Sequence, residues 1–123
     1  MTTAVLDASA LLAFLLNEPG GDAVGEALES GAACSTVNLS EVAQKLRVAG
    51  GDWRIADAIL EGMGLVVESA TIVDAVKAAD LWSEPPHLSL ADRFCLATAD
   101  RLGVPAWTAD RAWGSSDTVK QIR

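Results

Sequence analysis

Ala4-Val5-Leu6-Asp7-Ala8-Ser9-Ala10-Leu11-Leu12-Ala13-Phe14-Leu15-Leu16 places one acid between two apolar runs. Val5-Leu6 reads as a first strand, and Ser9 to Leu16 as a fully buried helix leaving it. The run from Ala10 to Leu16 is too short to span a bilayer. An unpaired carboxylate at such a place is costly to bury. Capping of the next helix is one explanation for Asp7, although Ser9 offers a rival cap two residues on. A second lies in topology. In an open α/β sheet, the strand ends that lead into helices share one edge, where ligands bind.

The same alternation runs outward from this stretch. Pro19-Gly20-Gly21 is a turn, and Asp22 is placed to cap a helix running to about Ser30. Ala32-Ala33-Cys34-Ser35 makes a second strand. Leu39, Val42, Ala43 and Leu46 recur at i, i+3, i+4 and i+7, an amphipathic helix closed by Gly50-Gly51. Asp52 caps a helix from Trp53 to Glu61, and Leu65-Val66-Val67 is a third strand. A helix from about Thr71 to Trp82 ends at Glu84-Pro85-Pro86. Ser89 begins another, with Ala91, Phe94, Cys95, Thr98 and Leu102 on one stripe, and Gly103 stops it. Val104 to Trp107 is a fourth strand. A brief helix near Arg111-Ala112-Trp113 precedes a weak last strand around Val119. Strands alternating with helices predict a three-layer α/β/α fold, with a mostly parallel sheet of four to five short strands. At 123 residues, a single domain over 1–123 is expected.

Half of the residues are hydrophobic, which predicts a packed core and excludes disorder. The net charge of −8 argues against nucleic-acid binding, because phosphate backbones favour basic patches. That objection weakens if several acids share a site whose cations offset them. Cys34 and Cys95 match no metal-ligand spacing and read as buried reduced thiols. With no basic segment at the N-terminus, a signal peptide is not expected. The sequence reads as that of a cytoplasmic protein without a membrane segment.

Asp7, Glu41, Asp92 and Asp110 all stand where a strand changes to a helix or where a helix begins. Acids gathered at one edge repel one another unless a cation sits among them, and all-oxygen ligands suit Mg²⁺ or Mn²⁺. Each also has a plainer reading. Asn38 and Glu41 resemble a capping box, with Lys45 placed for an ion pair at i+4. Ser89-Leu90-Ala91-Asp92 fits a capping pattern too. Capping and cation binding are compatible, because the positive end of a helix keeps a carboxylate ionised. Asp100 lies eight residues after Asp92, roughly 12 Å along the same helix, and is expected in solvent. His87, the only histidine, follows two prolines, and a metal site needs no histidine base. Arg93 and Arg111 each follow a candidate ligand, where a phosphate contact and a surface role compete. Among the tryptophans, Trp107 is expected in the core and Trp53 is a candidate interface anchor.

These segments resemble the PIN-domain family, and the length and ending resemble its VapC-type toxins. The matching stretches are Val5-Leu6-Asp7-Ala8-Ser9-Ala10 and Asn38-Leu39-Ser40-Glu41-Val42, then Leu88-Ser89-Leu90-Ala91-Asp92-Arg93 and Trp107-Thr108-Ala109-Asp110-Arg111-Ala112-Trp113. The resemblance implies a Mg²⁺-dependent endoribonuclease in which Mn²⁺ can substitute. It maps the acidic ligands onto Asp7, Glu41, Asp92 and Asp110, with Ser9 and Thr108 as supporting hydroxyls. Asn38 stands where Thr or Ser is often found. The resemblance also implies an RNA substrate, homodimerisation and inhibition by a small cognate antitoxin.

Two rival readings remain at this stage. A phosphoryl-handling enzyme of haloacid-dehalogenase type also uses an acid after its first strand, but expects another two residues on, where this chain has Ser9. A receiver expects an acidic pair at the first strand and a late lysine, and Lys120 is poorly placed for that. The other rival is a PIN-like binding module without catalysis, against which the complete acid set argues.

Overall fold

Strand β1 (Ala4–Leu6) is buried at every position and lies at the centre of a five-stranded sheet. The computed structural model describes residues 1–83 and 88–123; the Glu84-Pro85-Pro86 stop and His87 lie outside the described residues. The other strands are β2 (Ala32–Ser35), β3 (Val66–Glu68), β4 (Ala106–Thr108) and β5 (Val119–Gln121). Their order is β3-β2-β1-β4-β5, and every pairing within the sheet is parallel. Parallel neighbours require crossover connections, which bury both sheet faces and explain the unbroken apolar runs of β1 and β2. The chain first builds outward from β1 through β2 to β3, then returns to lay β4 on the other side. Strand order therefore reverses between β1 and β4. Ligand crevices form at such a point, outside the carboxyl ends of the strands.

Alternation along β1 divides the core. Ala4 and Leu6 join the larger cluster with Leu11, Val24, Leu28, Cys34, Val42 and Leu60. Val5 turns to the other face and packs with Cys95, Ala99 and Ala106. The first group gathers helices α1 (Ala8–Leu15), α2 (Gly21–Ser30), α3 (Thr36–Val48) and α4 (Trp53–Gly62). The second rests on α6 (Leu90–Leu102), which pairs with α5 (Ile72–Asp80). The three-layer reading holds. Most element bounds differ from the sequence reading by a residue or two, the ordinary fraying of helix and strand ends, but α3 begins three residues before the expected Leu39.

Two expectations are corrected. Helix α1 is not buried on every side, because Leu16 at its end is 45% exposed. Asp22 does not cap α2; Gly20 does, and Asp22 lies in the first turn. Gly20 has φ +89°, and a Cβ there would come within 2.7 Å of the Ile122 carbonyl oxygen. Only glycine meets both demands at low cost. Trp53 is half-buried against the main core.

Helix α5 is held by polar bonds because much of its surface faces solvent. Ile72, Val73 and Val76 are exposed, whereas Asp74 is wholly buried. Arg101 at the end of α6 donates to both oxygens of Asp74, at 2.8 and 3.1 Å. Asp74 also closes a capping box with Thr71. Burial alone would raise the Asp74 carboxyl, but the bonds from Arg101 and Thr71, with the Arg101 charge, hold it below the usual carboxylate range. At the other end of the helix pair, Arg93 donates to the Ala78 carbonyl at 2.8 Å.

Arg101→Ala should strand a buried carboxylate and cost about 3 kcal/mol in urea unfolding. Lys77→Ala, which breaks an exposed pair with Asp100, should cost less than about 1 kcal/mol. Equal losses in the two variants would contradict this account of α5.

Candidate metal centre

Asp7 is 3% exposed and caps α1 from the end of β1. Its Oδ1 accepts the Ala10 N–H at 2.8 Å and the Ser9 hydroxyl at 2.7 Å. Its Oδ2 accepts the Thr108 hydroxyl at 2.5 Å, from the end of the neighbouring strand β4. Ser9 is therefore not a rival cap; it serves the cap. Each hydroxyl has one proton to give. With both protons on Asp7, the 3.3 Å approach of Ser9 Oγ to Thr108 Oγ1 is contact and not a further hydrogen bond. The hydroxyl oxygens accept in turn, Ser9 from the Ala109 N–H at 2.9 Å and Thr108 from the Asp110 N–H at 3.0 Å. One buried carboxylate thereby fixes the backbone that delivers Asp110. Asp110 caps the 3₁₀ turn Arg111–Trp113, its Oδ1 accepting from the Ala112 N–H at 2.9 Å.

Glu41 and Asp92 approach from two further helices. The Asn38–Glu41 capping box is corrected: Ser35, the last residue of β2, caps α3, so Asn38 lies inside the helix and is fully buried. The strand passes directly into the helix, and a serine at the junction takes the cap earlier than the sequence pattern suggested. Asn38 Nδ2 donates to Glu41 Oε1 at 3.0 Å and to the Ala91 carbonyl at 3.1 Å. It thus ties Glu41 to the first turn of α6, beside Asp92. No ion pair joins Glu41 to Lys45 among the described residues. Asp92 is half-buried and forms the expected capping box, its Oδ2 accepting from the Ser89 N–H at 3.1 Å. Asp100 is solvated as expected, and Arg93 Nη1 is turned toward the Ala78 carbonyl of α5. Arg111 is exposed.

Burial is the main cause of an unusual Asp7. It raises the carboxyl, the bonds from Thr108, Ala10 and Ser9 pull it back, and the Asp92 charge raises it again, leaving it at about 6. Asp92 and Asp7 therefore feel each other. Burial also raises Cys34, to about 12, and Cys95, on which the charges of Asp7, Asp92 and Glu41 act together. Burial therefore favours the protonated thiol at both positions.

Whether these residues suit a divalent cation can be judged from their oxygens. Glu41, Asp92 and Asp110 each commit one oxygen to the protein and leave the other without a hydrogen bond among the described residues. Asp7 Oδ2 carries one bond where an oxygen accepts about two. All-oxygen, anionic donors fit Mg²⁺ or Mn²⁺. No three Asp, Glu, His or Cys side chains among the described residues stand close enough to hold an ion together. Like charges keep apart where nothing neutralises them.

The sequence reading missed Gln121, which bonds the two ends of the Asp110 turn. A polar residue in a short final strand carries no signal that could have revealed it.

The sequence matches the PIN domain family over residues 4–116. No curated protein matches it. The structure is similar to a chain of a toxin–antitoxin complex from Klebsiella pneumoniae, with a TM-score of 0.76, 19% identity and 98% of both chains covered. It is also similar to VapC20 of Mycobacterium tuberculosis, a sarcin–ricin loop cleaving toxin, at TM-score 0.72 and 18% identity, with 94% of this chain and 98% of the other covered. A chain of DNA-bound VapBC from Salmonella typhimurium gives TM-score 0.69 and 16% identity over the whole of both chains. At such identities the likeness is one of fold.

The raised Asp7 carboxyl predicts a pH dependence. In the unfolded chain it titrates near 3.8, and in the folded one near 6, so the folded state holds more protons between the two. Stability is then greatest below that window and falls as pH rises through it, by about 3 kcal/mol in the absence of divalent cations. Asp7→Asn in EDTA should flatten this fall and melt higher than wild type at pH 7. A wild-type stability that rises from pH 4 to 6 more steeply than that of Asp7→Asn would contradict the burial argument.

Proposed function

The chain belongs to the PIN domain family, and from that premise we propose that it is a Mg²⁺-dependent endoribonuclease, the toxin of a toxin–antitoxin pair. The observation that carries the reading is the buried Asp7 carboxylate at the β1–β4 switch point, with Asp92 close enough to raise it. A structural acid there would gain an arginine or lysine partner, as Asp74 does. Among the described residues, Asp7 has hydroxyl and amide donors only.

In this reading Asp7 and Asp92 are the principal ligands, Asp110 completes the negative charge, and Mn²⁺ can replace Mg²⁺. When bound, such a cation supplies polarisation of a phosphate oxygen and a lowered pKa for the attacking water. The chain's own groups do the positioning. Ser9 and Thr108 hold Asp7 with both oxygens oriented. Asn38 fixes Glu41 against α6, and Glu41 accepts a hydrogen bond from the attacking water to aim it along the line of the leaving oxygen. The net charge of −8 then hinders RNA approach less than it suggests, because the acids at the reacting edge are offset by the bound cation.

A small antitoxin is the partner this reading requires. Beside the site, α4 exposes Ile55 and Ile59, at 62% and 45%, and α3 ends in the exposed Val48. A cleft of about 190 Å³ lined by Leu39, Leu60, Leu65 and Val67, together with Asp57 and Glu61, lies between these helices and β3. An apolar helix face fits such a surface. Homodimerisation and action in the cytoplasm belong to the same proposal; among the described residues, no helix is long and apolar enough to cross a membrane.

Asp7→Asn and Asp92→Asn should each lower Mg²⁺-dependent RNA cleavage by more than about 100-fold, beyond the 10- to 100-fold typical of groups outside the ligand shell. EDTA should abolish cleavage by wild type. Wild-type rates in both variants would remove the carboxylates from the chemistry. Expression should arrest a bacterial host, and co-expression of a small protein encoded beside it should relieve the arrest; harmless expression of the active nuclease would contradict the toxin assignment.

A further inference from the structure

We propose that Gln121 is a positioning residue that sets the cation affinity of the candidate centre through Asp110. The inference rests on the reading of that centre as a cation site. Gln121 lies opposite Thr108 in the β4–β5 register, and the next residue bonds back through Ile122 N–H to the Thr108 carbonyl at 3.0 Å. The last strand is therefore anchored to the residue that holds Asp7. From that anchor, Gln121 Nε2 donates to the Asp110 carbonyl and to the Gly114 carbonyl, both at 2.8 Å. A primary amide has two N–H protons. Here both are spent on opposite ends of the turn that Asp110 caps.

The orientation of the amide is forced. Reversing it would set Oε1 against two carbonyl oxygens. As it stands, Oε1 is buried with no hydrogen-bond partner among the described residues. Asp110 Oδ1 is bonded inside the same turn, to the Ala112 N–H. The shape of the turn therefore decides where the open Oδ2 stands, and Gln121 closes that turn. Among the described residues, no other side chain of β5 hydrogen-bonds both of its ends.

Mn²⁺ titration by calorimetry, with hydrogen exchange of residues 111–114, tests this in wild type, Asp110→Asn, Gln121→Ala, Gln121→Glu and the double variant Asp110→Asn/Gln121→Ala. Gln121→Glu keeps the length and presents oxygens to the two carbonyls, so it carries the test if the alanine variant folds poorly. Each Gln121 variant should bind Mn²⁺ about 10- to 100-fold more weakly. The Ala112, Trp113 and Gly114 amides should exchange faster, with the Ile122 amide unchanged. In the Asp110→Asn background, Gln121→Ala should weaken binding no further. Wild-type Mn²⁺ affinity in both Gln121 variants would overturn the proposal while leaving the centre standing, and so would losses that add in the double variant. A wild-type chain that binds no Mn²⁺ would overturn the reading of the centre itself, and this inference with it.

Discussion

A carboxylate held inside the protein by two hydroxyls and one backbone N–H governs the rest of this molecule. Asp7 must be solvated by something, because a bare buried charge would cost far more than the fold can supply. Ser9, Thr108 and the Ala10 N–H replace water, and each of those groups then has a second task. The Ala10 bond starts α1. The two hydroxyls pass the constraint on to the Ala109 and Asp110 amides, which shapes the exit from β4. The solvation is incomplete, since the carboxyl stays at about 6 with Asp92 nearby. An incompletely solvated anion at the mouth of a crevice is a place prepared for positive charge.

Topology makes that preparation possible. Reversal of strand order at β1 leaves the carboxyl ends of β1 and β4 without a crossover above them. Helices α3 and α6 bring Glu41 and Asp92 to the same edge, joined through Asn38. The α5–α6 pair depends on a different device, the buried Asp74–Arg101 pair. The two buried aspartates make an instructive contrast. Asp74 has a guanidinium, lies below the usual carboxylate range and reads as structural. Asp7 has no cationic partner among the described residues, lies above that range and reads as functional.

Local chemistry was legible in the sequence; long-range pairing was not. The strand–helix alternation, the Ser89–Asp92 capping box, the Asp52 cap and the Gly103 stop all depend on residues within four positions of one another. Asp7 stood out because an acid between apolar runs has few explanations. Asn38 was placed in the wrong role because a nearer cap, Ser35, sits at the end of the preceding strand. Asp74–Arg101 spans 27 residues and Gln121–Asp110 spans 11 across two strands, so neither has a periodic signature. Arg93 and Arg111 look alike in the sequence, and the bond from Arg93 to the Ala78 carbonyl depends on the packing of α5. The acids of the candidate centre were named from their positions at strand and helix ends, while the groups that orient them emerged only from the packed structure.

The central claim is that Asp7 and Asp92 share a divalent cation. Crystals of the chain soaked in Mn²⁺ and measured at the manganese absorption edge address it directly. The account predicts an anomalous peak within about 2–2.6 Å of an Asp7 oxygen, the span of Mg²⁺ and Ca²⁺ bonds to oxygen, and at ligating distance from Asp92. The peak should vanish in Asp92→Asn. A peak elsewhere, or none at this edge of the sheet under saturating Mn²⁺, would contradict it.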